Sequence, residues 1–147
     1  MPQHPIAYVD IRFSAHATED VNKVMKAFYN VLPHQEPENI VLKQYSLEGH
    51  YGNPITFFET KIKNRQTIGM LIERLSNNLS SLDKEELGTN ISRYCEKGSL
   101  YIRLDKQGAL RGKIKLVTSD PIRMRIRFRR NKIEDVLQIC RELRVLT

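Results

Sequence analysis

Apolar and polar residues alternate without a break over residues 122–129. Successive side chains of a β-strand point to opposite faces, so this pattern predicts a strand with two unlike faces. One face can cover a core and carries Ile122, Met124, Ile126 and Phe128. The other face carries Arg123, Arg125, Arg127 and Arg129. Because arginines repel one another and their planar guanidinium groups match phosphate geometry, this second face suits a polyanion.

Shorter alternating stretches predict further strands at residues 6–13, 40–47, 55–62, 100–105 and 113–116. Helical spacing of apolar residues predicts helices at 18–32, 64–79, 83–96 and 131–143. The expected N-terminal caps are Thr18, Asn64, Asp83 and Asn131. Short connections between consecutive strands imply antiparallel pairing. The order therefore predicts an α+β two-layer sandwich, in which helices pack on one face of a mainly antiparallel sheet of about six strands.

Charge and cysteine content narrow the functional classes. The chain has 147 residues and a formal net charge of +7, which is typical of one domain with a polyanionic partner. Cys95 and Cys140 show no metal-type spacing, and both are expected as free thiols. No apolar run reaches the length of a membrane helix and no signal-peptide pattern opens the chain, so we expect a cytoplasmic protein without membrane contact.

The face of the sheet opposite the helices is expected to be basic, with tyrosines between the cations. Cations of this face would pair with RNA phosphates, and tyrosine rings would stack on bases. The residues predicted to form it are Tyr8, Arg12, Tyr101, Arg103, Lys113, Lys115, Arg123, Arg125, Arg127 and Arg129. The alternative is a solvated face whose charge is balanced by carboxylates on neighbouring strands.

Four stretches of the chain resemble one family, the archaeal RNA-binding proteins known as predicted exosome subunits. They are HATED at residues 16–20, GHYGNPI at 49–55, LYIRLDKQ at 100–107 and DPI at 120–122. They occur in the family's order and the match runs over nearly the whole chain. The resemblance implies a fold similar to the large-subunit ribosomal protein that binds 5S ribosomal RNA. It also implies RNA binding and an archaeal cytoplasmic setting. Since the length already indicates one domain, we expect a single RNA-binding-like domain over residues 1–147.

Three of these stretches leave two interpretations open. His50 and Tyr51 either contact RNA or belong to a hairpin loop that has only a structural role. Lys106 either reaches RNA from a turn or is part of an ordinary strand-ending turn. His16 either lies beside an anion at a helix N-terminus or simply precedes a capped helix.

Catalysis finds little support in the sequence. It contains no glycine-rich phosphate loop, no HExxH motif and no nucleophile–histidine spacing. We therefore expect a non-catalytic protein without a cofactor or metal. Two alternatives remain: a protein that docks an acidic partner or self-associates into a homodimer, and a metal-dependent phosphodiesterase built on Asp10, Asp105 and Asp120.

Overall fold

The structure is a computed structural model that describes residues 4–33, 40–48 and 52–146. Its strands are β1 (Ile6–His16), β2 (Lys43–Glu48), β3 (Pro54–Ile62), β4 (Cys95–Glu96), β5 (Ser99–Leu104) and β6 (Ile122–Phe128). Its helices are α1 (Val21–Val31), α2 (Arg65–Asn78), α3 (Ser81–Thr89), α4 (Ile91–Tyr94), α5 (Lys106–Leu110) and α6 (Ile133–Glu142).

The six strands form one open sheet in the order β2-β3-β1-β6-β5-β4, and every neighbouring pair is antiparallel. The α+β prediction is therefore confirmed. β1 and β6 lie at the centre, although they come from opposite ends of the sequence. The strand that was predicted to carry the arginines consequently has a neighbour on each side.

The strand predicted at residues 113–116 is wrong. The Asp105 side chain accepts a hydrogen bond from the Gly108 backbone N–H, so the chain turns directly from β5 into the short helix α5. Residues 111–121 then form a loop that touches the sheet through one bridge, between Leu104 and Leu116. The sixth strand is instead the two-residue edge strand β4.

The core lies between the helices and one face of the sheet. Phe13 of β1 stacks on Phe28 of α1 and on Phe58 of β3, with ring centroids 4.8 and 4.9 Å apart. Buried leucines of α2, including Leu71 and Leu75, join the same cluster. This packing covers one face and leaves the other without helices.

Of the four predicted helix caps, one is confirmed and three are corrected. Asn64 caps α2 by accepting from the Thr67 N–H, as predicted. At α1 the cap is Asp20 rather than Thr18, and at α3 it is Ser80 rather than Asp83. Each of these actual caps is itself a favoured capping residue, so propensity alone did not separate the candidates. Helix α6 begins after Lys132 without a side-chain cap, which corrects the assignment to Asn131.

Within the described ranges, every helix is too short or too polar to cross a lipid bilayer.

Candidate nucleic-acid interface

The open face is the side of the sheet that the helices leave uncovered. Its central part comprises Tyr8, Asp10 and Arg12 of β1, Arg123, Arg125 and Arg127 of β6, and Ser99, Tyr101 and Arg103 of β5. The alternation predicted for β6 is confirmed, because its four apolar residues are at most 1% exposed. The arginines between them point away from the core.

Three arginines lie directly opposite one another across the sheet. Arg12 of β1 pairs with Arg123 of β6, and Arg123 pairs with Arg103 of β5. We call these residues the arginine row. Neighbouring strands lie about 4.8 Å apart, so the row spans roughly 10 Å. Like charges placed directly opposite each other destabilise a sheet, so folding stability does not account for this arrangement.

Little negative charge balances the row. Glu59 of β3 lies 3.4 Å from the Arg12 guanidinium, and the Arg12 side chain is still 60% exposed. The Arg123 guanidinium lies over the Tyr101 ring, 4.9 Å from its centroid. Among the described residues, Arg123 and Arg103 have no carboxylate within 4.0 Å. Two of the three arginines of the row therefore present positive charge to solvent without a paired carboxylate.

The next line of residues along the strands is mixed in charge. Asp10 lies opposite both Arg125 and Lys61, and Arg125 lies opposite Tyr101. The Arg125 Nε also donates to the Ser99 hydroxyl at 3.0 Å. Positive and negative groups alternate here, and an aromatic ring closes the line.

Arg127 and Arg129 are directed to the protein's own backbone. Arg127 donates to the Lys97 carbonyl and, at 2.9 Å, to the Asn131 side-chain oxygen. Arg129 lies beyond the end of β6 and donates to the His4 carbonyl at 2.8 Å. The guanidinium donors of both arginines are therefore partly used in holding turns and the N-terminal segment.

Lys113 and Lys115 are not on the sheet, which corrects their predicted position. Both are exposed in the loop after α5. Lys115 lies 3.4 Å from the Asp105 carboxylate and packs beside Gly108. The loop lies beside the end of β5, where the Asp105 N–H donates to the Lys115 carbonyl at 2.9 Å and the Val117 N–H donates to the Arg103 carbonyl at 3.0 Å. The two lysines were placed on the sheet because a strand had been predicted there.

Lys106 is buried instead of lying at an exposed turn. Its side chain is 7% exposed. The ammonium donates to the Ser14 carbonyl at 2.6 Å and to both Asp120 oxygens, at 2.9 and 3.0 Å. It also lies 3.3 Å from Glu19, and His16 lies 3.3 Å from Asp120. We call Lys106, His16, Glu19 and Asp120 the Lys106 cluster.

Three of the four family-like stretches meet in the Lys106 cluster. HATED supplies His16 and Glu19, LYIRLDKQ supplies Lys106, and DPI supplies Asp120. His16, Glu19 and Asp120 are also the described residues whose spacing resembles a metal site. The Lys106 ammonium already contacts two of these three side chains, so a bound cation would have to compete with it. The cluster ties the ends of β1 and β5 to the start of β6.

The fourth family-like stretch lies partly beyond the described ranges. His50 and Tyr51 belong to that part, so their prediction stays open. Flanking residues are described: Glu48 pairs with Pro54, and Ile55 pairs with His16. The loop between β2 and β3 therefore starts and ends at the same end of the strands as the Lys106 cluster.

Several candidate residues on β2 and β3 were missed. The Lys61 ammonium lies 4.4 Å from the centroid of the Tyr8 ring. Tyr45 and Phe57 form a stacked pair with centroids 5.5 Å apart, and Lys43 pairs with Glu59. Alternation within residues 55–62 already separated Phe57, Glu59 and Lys61 from the buried Phe58 and Ile62. These outward-facing residues had not been assigned to the open face, although the alternation was sufficient to do so.

Among the residues that the structure describes, carboxylates and thiols show no arrangement typical of a nucleophile. Asp10 lies 4.0 Å from Arg125, Asp105 3.4 Å from Lys115, and Asp120 2.9 Å from Lys106. Burial raises the pKa of the Cys95 thiol, and burial raises the pKa of the Cys140 thiol to about 12. Both cysteines are therefore weakly reactive at neutral pH.

Comparison with known proteins adds independent information. The sequence profile of a family described as RNA binding matches residues 8–128. RNA-binding protein PAB1135 of Pyrococcus abyssi is 32% identical over 139 residues, covering 91% of this chain and 90% of that protein. The uncharacterized protein MJ0213 of Methanocaldococcus jannaschii is 30% identical over 139 residues, covering 88% of this chain and 93% of that protein. The solved structure of Mth689 from Methanothermobacter thermautotrophicus has 27% identity and a TM-score of 0.77, covering 95% of this chain and 98% of that one.

Proposed function

Since this chain belongs to an archaeal family of RNA-binding proteins, we propose that it is a non-catalytic protein that holds structured RNA on the open face of its sheet. The arginine row is the observation that carries the proposal. Arg12, Arg123 and Arg103 are aligned across three strands at a cost in sheet stability, and a polyanion removes that cost on binding.

Phosphates are bound by the arginine row and by Arg125. Each guanidinium offers a planar fork of donors, which suits two oxygens of one phosphate. The sheet holds the side-chain origins at fixed spacing, so little backbone entropy is lost on binding. Arg127 contributes less, since its donors are engaged by Lys97 and Asn131.

Unpaired bases stack on the aromatic residues of the same face. Tyr101 and Tyr8 flank the central arginines, and the Tyr45–Phe57 pair extends the surface towards β2. Single-stranded loops and bulges of RNA are the parts whose bases are free to stack in this way. Phosphate contacts supply most of the affinity, so selectivity for RNA sequence is weak.

The proposed cellular role combines this binding mode with the family resemblance. A protein that grips phosphates with weak sequence selectivity is suited to RNA processing, in exosome-associated or ribosome-associated work in the cytoplasm. The name of the Pyrococcus abyssi relative supports RNA as the partner. Each of Asp10, Asp105 and Asp120 has its own Lys or Arg side chain within 4.0 Å. These pairings support a binding function over metal-dependent hydrolysis.

The decisive experiment measures RNA affinity as a function of salt. Combined replacement of Arg12, Arg103 and Arg123 by Gln removes three phosphate contacts. The plot of log affinity against log salt should then become shallower by roughly 2, at about 0.7 per contact to single-stranded RNA. Thermal unfolding should be unchanged or slightly improved, because the substitutions relieve like-charge repulsion.

A matched control removes the same charge from the helical layer. Lys26, Arg111 and Arg141 are exposed on or next to α1, α5 and α6, and their replacement by Gln also lowers the net charge by three. This control should change the salt slope much less. Equal effects of the two triple variants would show that bulk charge, and not the open face, binds RNA.

Self-association through β2 is a second candidate function, and one observation favours it. All six residues of this edge strand are exposed, with Tyr45 46% and Leu47 55% accessible. A long exposed edge strand is a template for pairing with another chain. A dimer of defined mass, with a dissociation constant that added RNA does not change, would favour this function over RNA binding.

We also propose that His50 and Tyr51 contact RNA. If Tyr51 stacks on a base, joint replacement of both residues by Ala should weaken binding by about 1 to 3 kcal/mol. Melting temperature should change little, and isothermal binding titration beside thermal unfolding separates the two effects. A variant that binds RNA as tightly as the parent would reduce the loop to a structural connection.

A further inference from the structure

The open face carries a carboxylate at its centre, which is unexpected in a surface for phosphates. Asp10 has Lys61 opposite it on one neighbouring strand and Arg125 opposite it on the other. Its side chain is 13% exposed, so most of the carboxylate is sheltered from water. A negative charge at this position lowers phosphate affinity, so its presence calls for a ligand group that a carboxylate favours.

The Asp10 carboxylate retains free acceptor capacity. The Arg125 Nη1 lies 4.0 Å away, which is too long for a hydrogen bond. Among the described residues, none donates a hydrogen bond to the Asp10 side chain. The cations on the two neighbouring strands flank the carboxylate without saturating its oxygens.

Space and aromatic surface are available around this carboxylate. A groove of about 360 Å³ lies on one side of Asp10 and is lined by Tyr8, Lys43 and Lys61 among others. A smaller depression on the other side is lined by Tyr101, Arg123 and Arg125. A base that stacks on Tyr8 or Tyr101 would lie beside Asp10, because each ring lines a depression that Asp10 also lines.

We propose that Asp10 recognises an unpaired guanine. A carboxylate only accepts hydrogen bonds, and guanine is the one RNA base whose Watson–Crick edge offers two adjacent donors, N1–H and the N2 amino group. Adenine, cytosine and uracil each present an acceptor beside their donor, which a carboxylate repels. This inference rests on the proposed function and adds to it a preference for one base.

Charge at the rim supports the same ligand. The phosphates on either side of the bound guanine would lie near the arginine row and Lys61, which surround Asp10. The carboxylate therefore selects the base, and the cations bind the RNA backbone. In nucleic-acid recognition generally, phosphate contacts position the ligand and base contacts give specificity. Glu59, another carboxylate of this face, forms an ion pair with Arg12 at 3.4 Å, which is closer than any cation among the described residues approaches Asp10.

The test uses labelled single-stranded uridine oligomers that carry one central guanosine, inosine or adenosine. Inosine keeps N1–H but lacks the N2 amino group, so it removes one of the two proposed hydrogen bonds. The parent protein should bind the guanosine oligomer about tenfold or more tightly than the adenosine oligomer, with inosine between them. Asp10→Asn should abolish this preference, since an amide matches adenine better.

Glu59→Gln is the matched control. Glu59 lines the same groove but pairs with Arg12, so this variant makes the same charge change and should leave the guanosine preference intact. Affinity of Asp10→Asn for the adenosine oligomer should equal or exceed that of the parent, which verifies a folded binding face. A parent without guanosine preference, or Asp10→Asn that retains it, overturns the inference while RNA binding stands. A parent that binds none of the oligomers and no structured RNA overturns the proposed function as well.

Discussion

The arginine row and the Lys106 cluster are two concentrations of positive charge with opposite environments. In the row, Arg12, Arg123 and Arg103 face solvent and one another, with Glu59 as the nearest carboxylate. In the cluster, one lysine is buried and bonded to a carbonyl and two carboxylates. Repulsion within the arginine row destabilises the free protein, whereas the Lys106 ammonium has hydrogen-bond and ion-pair partners within the protein. Unbalanced charge indicates a missing partner, whereas balanced charge indicates a structural role.

This contrast also separates family resemblance from binding. The stretches that carry the resemblance supply all four residues of the Lys106 cluster, which links β1, β5 and β6 at one end of the sheet. Arg103 belongs to such a stretch, but Arg12 and Arg123 do not. A recognisable family motif can therefore mark residues that stabilise the fold, while the proposed RNA-binding surface lies beside them.

Replacing Lys106 should give the largest effect on stability. Lys106→Met leaves the Ser14 carbonyl without its donor and Asp120 close to Glu19, which should lower the free energy of unfolding by about 1 to 3 kcal/mol. Chemical denaturation measures this loss. RNA affinity of the folded variant should stay near that of the parent.

Lys115→Met provides the control for that experiment. It removes a lysine that also pairs with an aspartate, Asp105, but whose side chain is 57% exposed. Exposed ion pairs contribute about 0 to 1 kcal/mol, so a small effect is expected. If the two variants lose equal stability, burial is not what distinguishes the Lys106 cluster.

Replacing one member of the arginine row should show the reverse behaviour. Arg123→Gln removes the central guanidinium, whose recorded contact is the Tyr101 ring. RNA affinity should fall about tenfold, as expected for one charged hydrogen-bonding contact, while stability changes by less than about 0.5 kcal/mol. Titration and thermal unfolding on the same sample make the measurement. A loss of stability without a loss of affinity would contradict the assignment.

Replacing Arg127 should combine a moderate loss of stability with a small loss of RNA affinity. Its guanidinium bonds to Lys97 and Asn131, so Arg127→Gln should cost about 0.5 to 1.5 kcal/mol of stability. Its loss of RNA affinity should be smaller than that of Arg123→Gln. Equal losses of affinity for both variants would indicate that the contact runs along β6 and not across the strands.

Local pattern was sufficient for some parts of the interface and insufficient for others. Alternation along residues 122–128 decided which side chains face out, because the strand period is fixed by the backbone. It did not reveal that Lys113 and Lys115 follow a helix, since two apolar residues at alternate positions are too short a signal to define a strand. It also could not show that Arg127 is engaged by a neighbouring turn.

The sequence by itself determined the α+β class, the basic character of one face and the direction of each arginine on β6. Those properties depend on residue type and on the backbone period within one segment. Only the tertiary structure decided that Arg12, Arg123 and Arg103 align across three strands, and that Lys106 is buried among Ser14, Glu19 and Asp120. Register and burial of this kind arise when strands distant in the chain become neighbours, which no single segment encodes.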